Sequence, residues 1–366
     1  MRRLICLAAL ALSLDAAAEA GVAPLSVSKS DAEAVLKATH ADKAQGIERL
    51  AVTSCNVLFG TETSANAETQ AGFGEPSQGR VDATVSSTYI LQGMDDAAMQ
   101  ALAESICADA EAQLASRFTL VPRAELQAEP GYARLQAGGK PVPYALQRGD
   151  ASYRVFAPAG QSVVDLMYQM DTGKSVGTVG ALKAFGAIAK TIASGGGSEA
   201  DEAQMLQALG ASGARINVMV DFARQKSNNV KGFLGKITGN DNAKVDTSLQ
   251  LSISGFVRMT PQTALKTYSG GSVLVDSNDF VRFTTREPLL ASSNAIVSVR
   301  DIQSRGSKAG EVGANLLAGA MALSGYSTST TSIERNGVDV DPALYAGEVR
   351  PLAQRLVAMA TVLARP

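Results

Sequence analysis

A single histidine, His40, serves the whole 366-residue chain, and there is no tryptophan. Any Ser-His-Asp or Cys-His mechanism therefore has one imidazole to be built on, in a segment that reads as helical and solvated. Zinc centres recruit several His or Cys ligands. The cysteines are Cys6, Cys55 and Cys107, so neither a zinc enzyme nor any other bound cofactor is expected. Gly173-Lys174-Ser175 has the ending of a phosphate-binding loop, but Tyr168 stands where the motif needs a glycine to wrap its amides around phosphate. Asp171-Thr172-Gly173 has the Asp-Thr-Gly turn of an aspartic protease. That chemistry needs two carboxylates sharing a proton, and Asp-Thr-Gly is equally an ordinary β-turn. A hydrolase using Asp165 and Asp171 stays open as an alternative that requires the fold to bring them together.

The first twenty residues say where the chain works. Arg2 and Arg3, the apolar run from Leu4 to Leu14 and the small-x-small triplet Ala18-Glu19-Ala20 have the three-part build of a signal peptide cleaved near Ala20. The run is too short to span a bilayer. The expected location is exported, periplasmic or secreted. Cys6 leaves with the leader, and its place at the start of the apolar run argues against a lipid anchor. The net charge is −2, the apolar fraction 46% and the mean hydropathy +0.05, which places the chain in the globular class. No window concentrates Lys and Arg enough to neutralise several phosphates, so nucleic acid is not an expected partner.

The pattern predicts an α/β fold, with α+β as the alternative: a mixed sheet with packed helices, in two lobes or as one domain with a large insertion. The expected organisation is a signal peptide (1–20), a helical lead-in (21–48), an α/β lobe (49–128), a loop or linker (129–150), a β-rich second lobe with helical inserts (151–310) and C-terminal helices (311–366). Ser30 and Glu33 read as a capping box opening a helix to about Lys43. Residues 49–59 form an apolar, β-branched run expected of a strand covered on both faces, followed by a Gly/Ser/Thr/Asn-rich loop; residues 80–91 alternate as a second strand. Asp95 and Asp96 cap a helix with Met99, Leu102, Ile106, Ala110 and Leu114 at helical spacing, and FTLVPRAEL begins with a short strand. Strands are predicted at 152–157, 162–169, 272–283 and 294–302, with an amphipathic helix near 178–193 and a shorter one at 199–209. RINVMVDFARQ and VDTSLQLSISGFVRM read as an antiparallel pair. STSTTS reads as a loop, and Asp341 with Pro342 opens a terminal helix that Pro351 should kink or restart.

Two features carry site expectations. Cys55 falls in a strand-like run and Cys107 on a helix, so the two can meet where helix packs on sheet. A disulfide is expected in an oxidising compartment, two separately buried thiols being the alternative. The connector after RINVMVDFARQ is too long for a tight turn and carries Val230, Phe233, Leu234 and Ile237 at helical spacing with Lys231 and Lys236 between and beside them. Such a stripe fits a partner groove or an anionic membrane surface, or else covers its own domain.

The succession RLAVTSCNVLFG, AAMQALAESICADAEAQLASR and FTLVPRAEL, with Arg123 to Leu126 as its Arg-x-x-Leu stretch, resembles the curli-secretion-channel (CsgG-like) periplasmic α/β domain family over residues 49–128. LQALGASGARINVMVDFA extends the similarity over 199–258. The resemblance implies a non-enzymatic envelope protein acting in assembly, secretion or binding through surface contacts, with a protein or envelope component as partner. Lipid-anchored pore formation is not implied. An outer-membrane assembly or channel-type subunit that inserts a β-hairpin is the alternative.

Overall fold

The computed structural model describes residues 23–70, 81–164, 198–228, 230–231, 244–268, 273–291, 295–304 and 328–365, with a few positions between 308 and 317. The fold is α/β. Among the described residues a mixed 13-stranded sheet lies between two helical layers, its main order being β1-β12-β9-β7-β2-β3-β15-β14. These strands are β1 (Leu36–Thr39), β2 (Arg49–Gln70), β3 (Val81–Gln92), β7 (Ser212–Asn228), β9 (Lys244–Thr260), β12 (Val281–Thr285), β14 (Ile296–Asp301) and β15 (Thr328–Val340). One layer holds α1 (Lys29–Val35), α2 (Asp96–Ala115) and the C-terminal α6 (Pro342–Ala364); the other holds α3 (Arg123–Ala128), α4 (Pro130–Ala137) and α5 (Ser198–Leu209).

Binary patterning builds the middle of this sandwich. Ile216, Val218 and Val220 of β7 and Leu251, Ile253 and Val257 of β9 are fully buried in the main core with Leu356 and Val357 of α6. The two strands pair antiparallel, as their alternation predicts. In β2 every residue from Leu50 to Gly60 is buried. A register shift between Val52 and Ser54 changes which residues face α2, so Leu50 and Val52 share the main core with Cys55, Val57 and Phe59. Burying a side chain of this size stabilises by roughly 1.5–3 kcal/mol. Asp95 caps α2 by accepting from the Ala98 amide, and Asp341 caps α6 by accepting from Ala343 and Leu344.

Several local expectations give way to long-range pairing. α1 is capped by Ser28, whose Oγ accepts from the Asp31 amide at 3.1 Å, and not by Ser30. It stops at Val35 because Leu36–Thr39 pairs antiparallel with β12, leaving His40 at φ 54°, off any helix, with Nδ1 3.2 Å from the Phe280 carbonyl. The loop expected after residue 59 is the continuation of β2 to Gln70, and Thr328–Ser332 of STSTTS lie within β15, which pairs in parallel with β3. Residues 130–137 form α4 instead of a loop, because Pro130 begins it and Tyr132 and Leu135 pack into a second cluster with Met205 and Leu206 of α5. Within 162–169 the described part gives one bridge, Lys140 with Val163. The strand expected over 272–283 is broken by a 3₁₀ turn at Ser277–Asp279 into β11 (Val273–Val275) and β12. α6 runs on through Pro351. The helix at 178–193 and the segment 318–327 lie outside the described residues.

Candidate functional site

The sheet forks. β6 (Ala151–Phe156) pairs with Val57–Thr63 along one edge of β2, while β7 occupies the other edge through Phe59↔Val220. From Glu62↔Ile90 onward that second edge belongs to β3. Two ribbons therefore leave the core: β7 with β9, paired from Ala223↔Leu249 to Asn228↔Lys244, and the β2-β3-β15-β14 group. β8 (Val230–Lys231) pairs in parallel with Thr69 and Gln70 at the end of β2. Val230 and Lys231, two of the six connector residues expected to meet a partner, thus stand where the ribbons come together again. Phe233, Leu234, Lys236 and Ile237 lie outside the described residues.

Between the ribbons is a cleft of about 450 Å³ lined by Tyr89, Leu249 and Val299 together with Asp301, Gln303, Glu334, Arg335 and Asn336. β14 forms its outer wall and, among the described residues, pairs only with β15. Val297 is 68% exposed, Val299 45% and Ile333 43%. An open strand edge flanked by exposed β-branched side chains is a template for another strand.

Polar clusters hold the frame beneath. At the fork, Tyr153 of β6 donates to Asp221 Oδ1 at 2.9 Å. Burial pushes the Asp221 carboxyl above the usual range, more than the Tyr153 hydrogen bond and the guanidiniums of Arg148 and Arg224 pull it down. Burial and the neighbouring carboxylate likewise raise the Tyr153 phenol. A Cβ at Gly60 would stand 3.3 Å from the Val220 carbonyl oxygen and 3.4 Å from Asp221 Oδ1, so glycine lets the strands meet before they part. Under α5, the fully buried Glu202 accepts from Thr53 at 2.5 Å, from Arg215 Nε and Nη2 at 2.8 and 2.6 Å, and from Arg258 Nη2 at 3.3 Å. Burial opposes its charge, but the two guanidiniums win and its carboxyl is held below the ordinary value. Sequence reading missed both clusters.

Cys55 and Cys107 are joined by a buried disulfide that ties β2 to α2. Asp165, Asp171 and Gly173-Lys174-Ser175 lie outside the described residues. Among the described residues no group of three or more His, Cys, Asp or Glu is placed to hold a metal ion, and no helix is long and apolar enough to cross a membrane. Neither a family model, nor a curated protein, nor a solved structure matches this chain.

Proposed function

We propose that the chain is an exported, non-catalytic protein of the cell envelope that acts in assembly or secretion by taking an extended polypeptide segment onto the open edge of its ribbons. The observation that carries this reading is β14: a six-residue strand whose second edge meets no strand among the described residues, with exposed Val297 and Val299 and an adjoining cleft of mixed apolar and charged lining. Added strands gain affinity from backbone hydrogen bonds and specificity from pockets for alternate side chains, and the edge and cleft offer both. The disulfide fits an oxidising compartment, and the resemblance of residues 49–128 to the CsgG-like family points to the same setting.

The test is site-directed crosslinking from the envelope. The chain is expressed with its own leader and carries Val297→Cys labelled with a short thiol-reactive crosslinker. Because Cys55 and Cys107 are bonded to each other, the new thiol is specific. The expected result is one discrete adduct whose mass fingerprint shows a defined partner segment, lost on Val299→Pro. Equal labelling from Arg355→Cys on the exposed face of α6, or no adduct, refutes the reading.

The β7–β9 ribbon favours a second reading. Its ladder runs six residues past the bulge at Asp221, with Lys226 in register with Asp246, toward the connector already expected to meet a membrane or partner. An outer-membrane subunit that inserts this hairpin would be recovered wholly in the detergent-extracted membrane fraction; recovery in the wash removes that alternative.

A further inference from the structure

The described chain begins at Ala23, and its first residues lie along the seam between α2 and α6 as a strap. Local sequence favours an extended shape, because Pro24 fixes its own φ and disfavours helical geometry at Ala23. Ala23, Pro24 and Leu25 are exposed, so their side chains contribute little burial. The main chain is what the helices hold. Gln113 of α2 accepts from the Leu25 amide through Oε1 at 2.7 Å and donates from Nε2 to the Leu25 carbonyl at 3.2 Å, while Gln354 of α6 donates from Nε2 to the Ala23 carbonyl at 3.0 Å. Gln113 thus treats Leu25 as a neighbouring strand would, with one donor and one acceptor.

Both glutamines are buried, 3% and 6% exposed, and buried amides need partners. Other contacts fix the seam that presents them. Asp109 and Gln113 are one helical turn apart on α2, as are Arg350 and Gln354 on α6. Arg350 grips the buried Asp109 through Nε and Nη2 at 2.5 and 2.9 Å. Farther along, Arg117 Nη1 donates to the Arg365 carbonyl at 3.3 Å and Arg365 Nη1 to the Arg117 carbonyl at 2.7 Å. Cys107 bonds α2 to β2. Gln113 is therefore carried by a helix tied to the sheet and to α6 by groups other than the strap.

A docked strap conflicts with removal of the leader. Cleavage after Ala20 leaves only Gly21 and Val22 ahead of Ala23. Three extended residues reach at most about 11 Å, so a docked Ala23 would hold the Ala20–Gly21 bond within that distance of the seam. A protease needs main chain that is locally open, and its own folded body must fit around the bond. We propose that Ala23–Leu25 is a maturation strap whose docking on Gln113 and Gln354 and whose cleavage from the leader exclude each other: the leader is removed before the strap closes, and a precursor that closes first shields its own cleavage site. The inference rests on the exported reading, with a leader cut near Ala20, and is independent of the ribbon edge.

The full precursor, folded with its disulfide, is digested with signal peptidase in detergent micelles beside a synthetic peptide of residues 1–30. Leu25→Pro removes the amide that bonds Gln113 at an exposed position outside the core, and Gln113→Leu removes the same contact from the helix side. The peptide should be cut at one rate with and without Leu25→Pro, and the folded wild-type precursor at least about tenfold more slowly. Either substitution should raise the precursor rate at least about threefold, as loss of a main-chain hydrogen bond implies, and Leu25→Pro should do so with the circular dichroism of wild type. In the mature chain the Leu25 amide should exchange at least about tenfold faster in Gln113→Leu than in wild type. A peptide that is not cut after Ala20 sinks the leader reading and the strap with it. With the peptide cut, a folded precursor cut equally fast, substitutions that leave its rate unchanged, or a Leu25 amide indifferent to Gln113→Leu overturns the strap alone.

Discussion

Replacing Glu202 by Gln should be among the most damaging isosteric changes available to this chain. The carboxylate is completely buried and accepts four hydrogen bonds, three of them from guanidinium nitrogens, while Arg215 and Arg258 are themselves 1% exposed. An amide keeps one acceptor oxygen but turns an NH₂ toward the donors that Oε1 or Oε2 now satisfies, and it removes the buried countercharge that Arg215 and Arg258 share. Glu199, 3.8 Å from Arg258 and 44% exposed at its side chain, is too solvated to substitute. Removing one partner of a buried ion pair costs about 3–5 kcal/mol, a large share of the ~5–15 kcal/mol that holds a typical protein folded. Urea denaturation followed by circular dichroism reads the loss, with Glu199→Gln expected to change stability by less than about 1 kcal/mol. Acid gives a second signature. A carboxyl lowered in the fold contributes stability above its unfolded value of about 4.3, and that contribution disappears as pH falls through the folded value. The gap between wild type and Glu202→Gln should therefore close in that window. A loss below about 1 kcal/mol at neutral pH, or a gap that does not change with acid, refutes the argument.

Three further outcomes follow from other parts of the frame. Cys55→Ala with Cys107→Ala, or reduction of the wild type, opens a bridge spanning 52 residues and should cost about 4 kcal/mol on the chain-entropy model, read from the urea midpoint with and without reductant; an unchanged midpoint contradicts it. Asp221 has a carboxyl raised in the fold, so its stabilising contribution is complete below about pH 3.9 and is lost as pH rises through the folded value. Asp221→Asn should accordingly gain on wild type as pH rises from about 4 through the folded value, and a pH-independent difference would count against the buried carboxyl. Gly93→Ala places a Cβ 2.4 Å from the Val340 carbonyl at φ +93°, where strain alone costs about 1–3 kcal/mol; a thermal midpoint equal to wild type refutes the close approach.

The legible parts of this fold are those whose neighbours lie close in sequence or whose periodicity is strong. α2, the β7–β9 pair and the capped start of α6 are written in local pattern, and the Cys55–Cys107 pairing follows from a strand and a helix that the sequence itself delimits. β1 and β15 are not. Leu36–Thr39 becomes a strand because β12, some 245 residues on, offers it an edge, and the serines and threonines at the start of β15 pair with β3 across a similar distance. Neither carries enough apolar alternation to announce itself. Glu202 hid for a different reason: SEADEAQMLQAL has three acidic residues in its first five and reads as a solvated helix face. The signal that could have exposed it lies in the strands, where Arg215 and Arg258 occupy positions that the surrounding buried residues leave no solvent to reach. An arginine forced inside implies a carboxylate to meet it.

β2 is divided between two jobs, and the division explains why the surface reading concentrates on the ribbons. From Leu50 to Phe59 it is anchored by side chains buried on both faces. Beyond Gly60 the sequence turns to Thr61, Glu62, Thr63 and Ser64, half-buried polar residues with little transfer free energy to hold them. Paired main chain on either side supports this second half, first β6 and β3, then β15 and β14 in succession outward. Each strand in that series is stabilised by the next, so the last, β14, is paired on one side alone among the described residues. A segment arriving at β14 would extend a ladder that the fold has already carried three strands beyond β2, and hydrogen exchange offers a direct reading: those amides between Val297 and Arg300 that point away from β15 should exchange faster than their β15-paired neighbours in the free protein and slow when the partner is present.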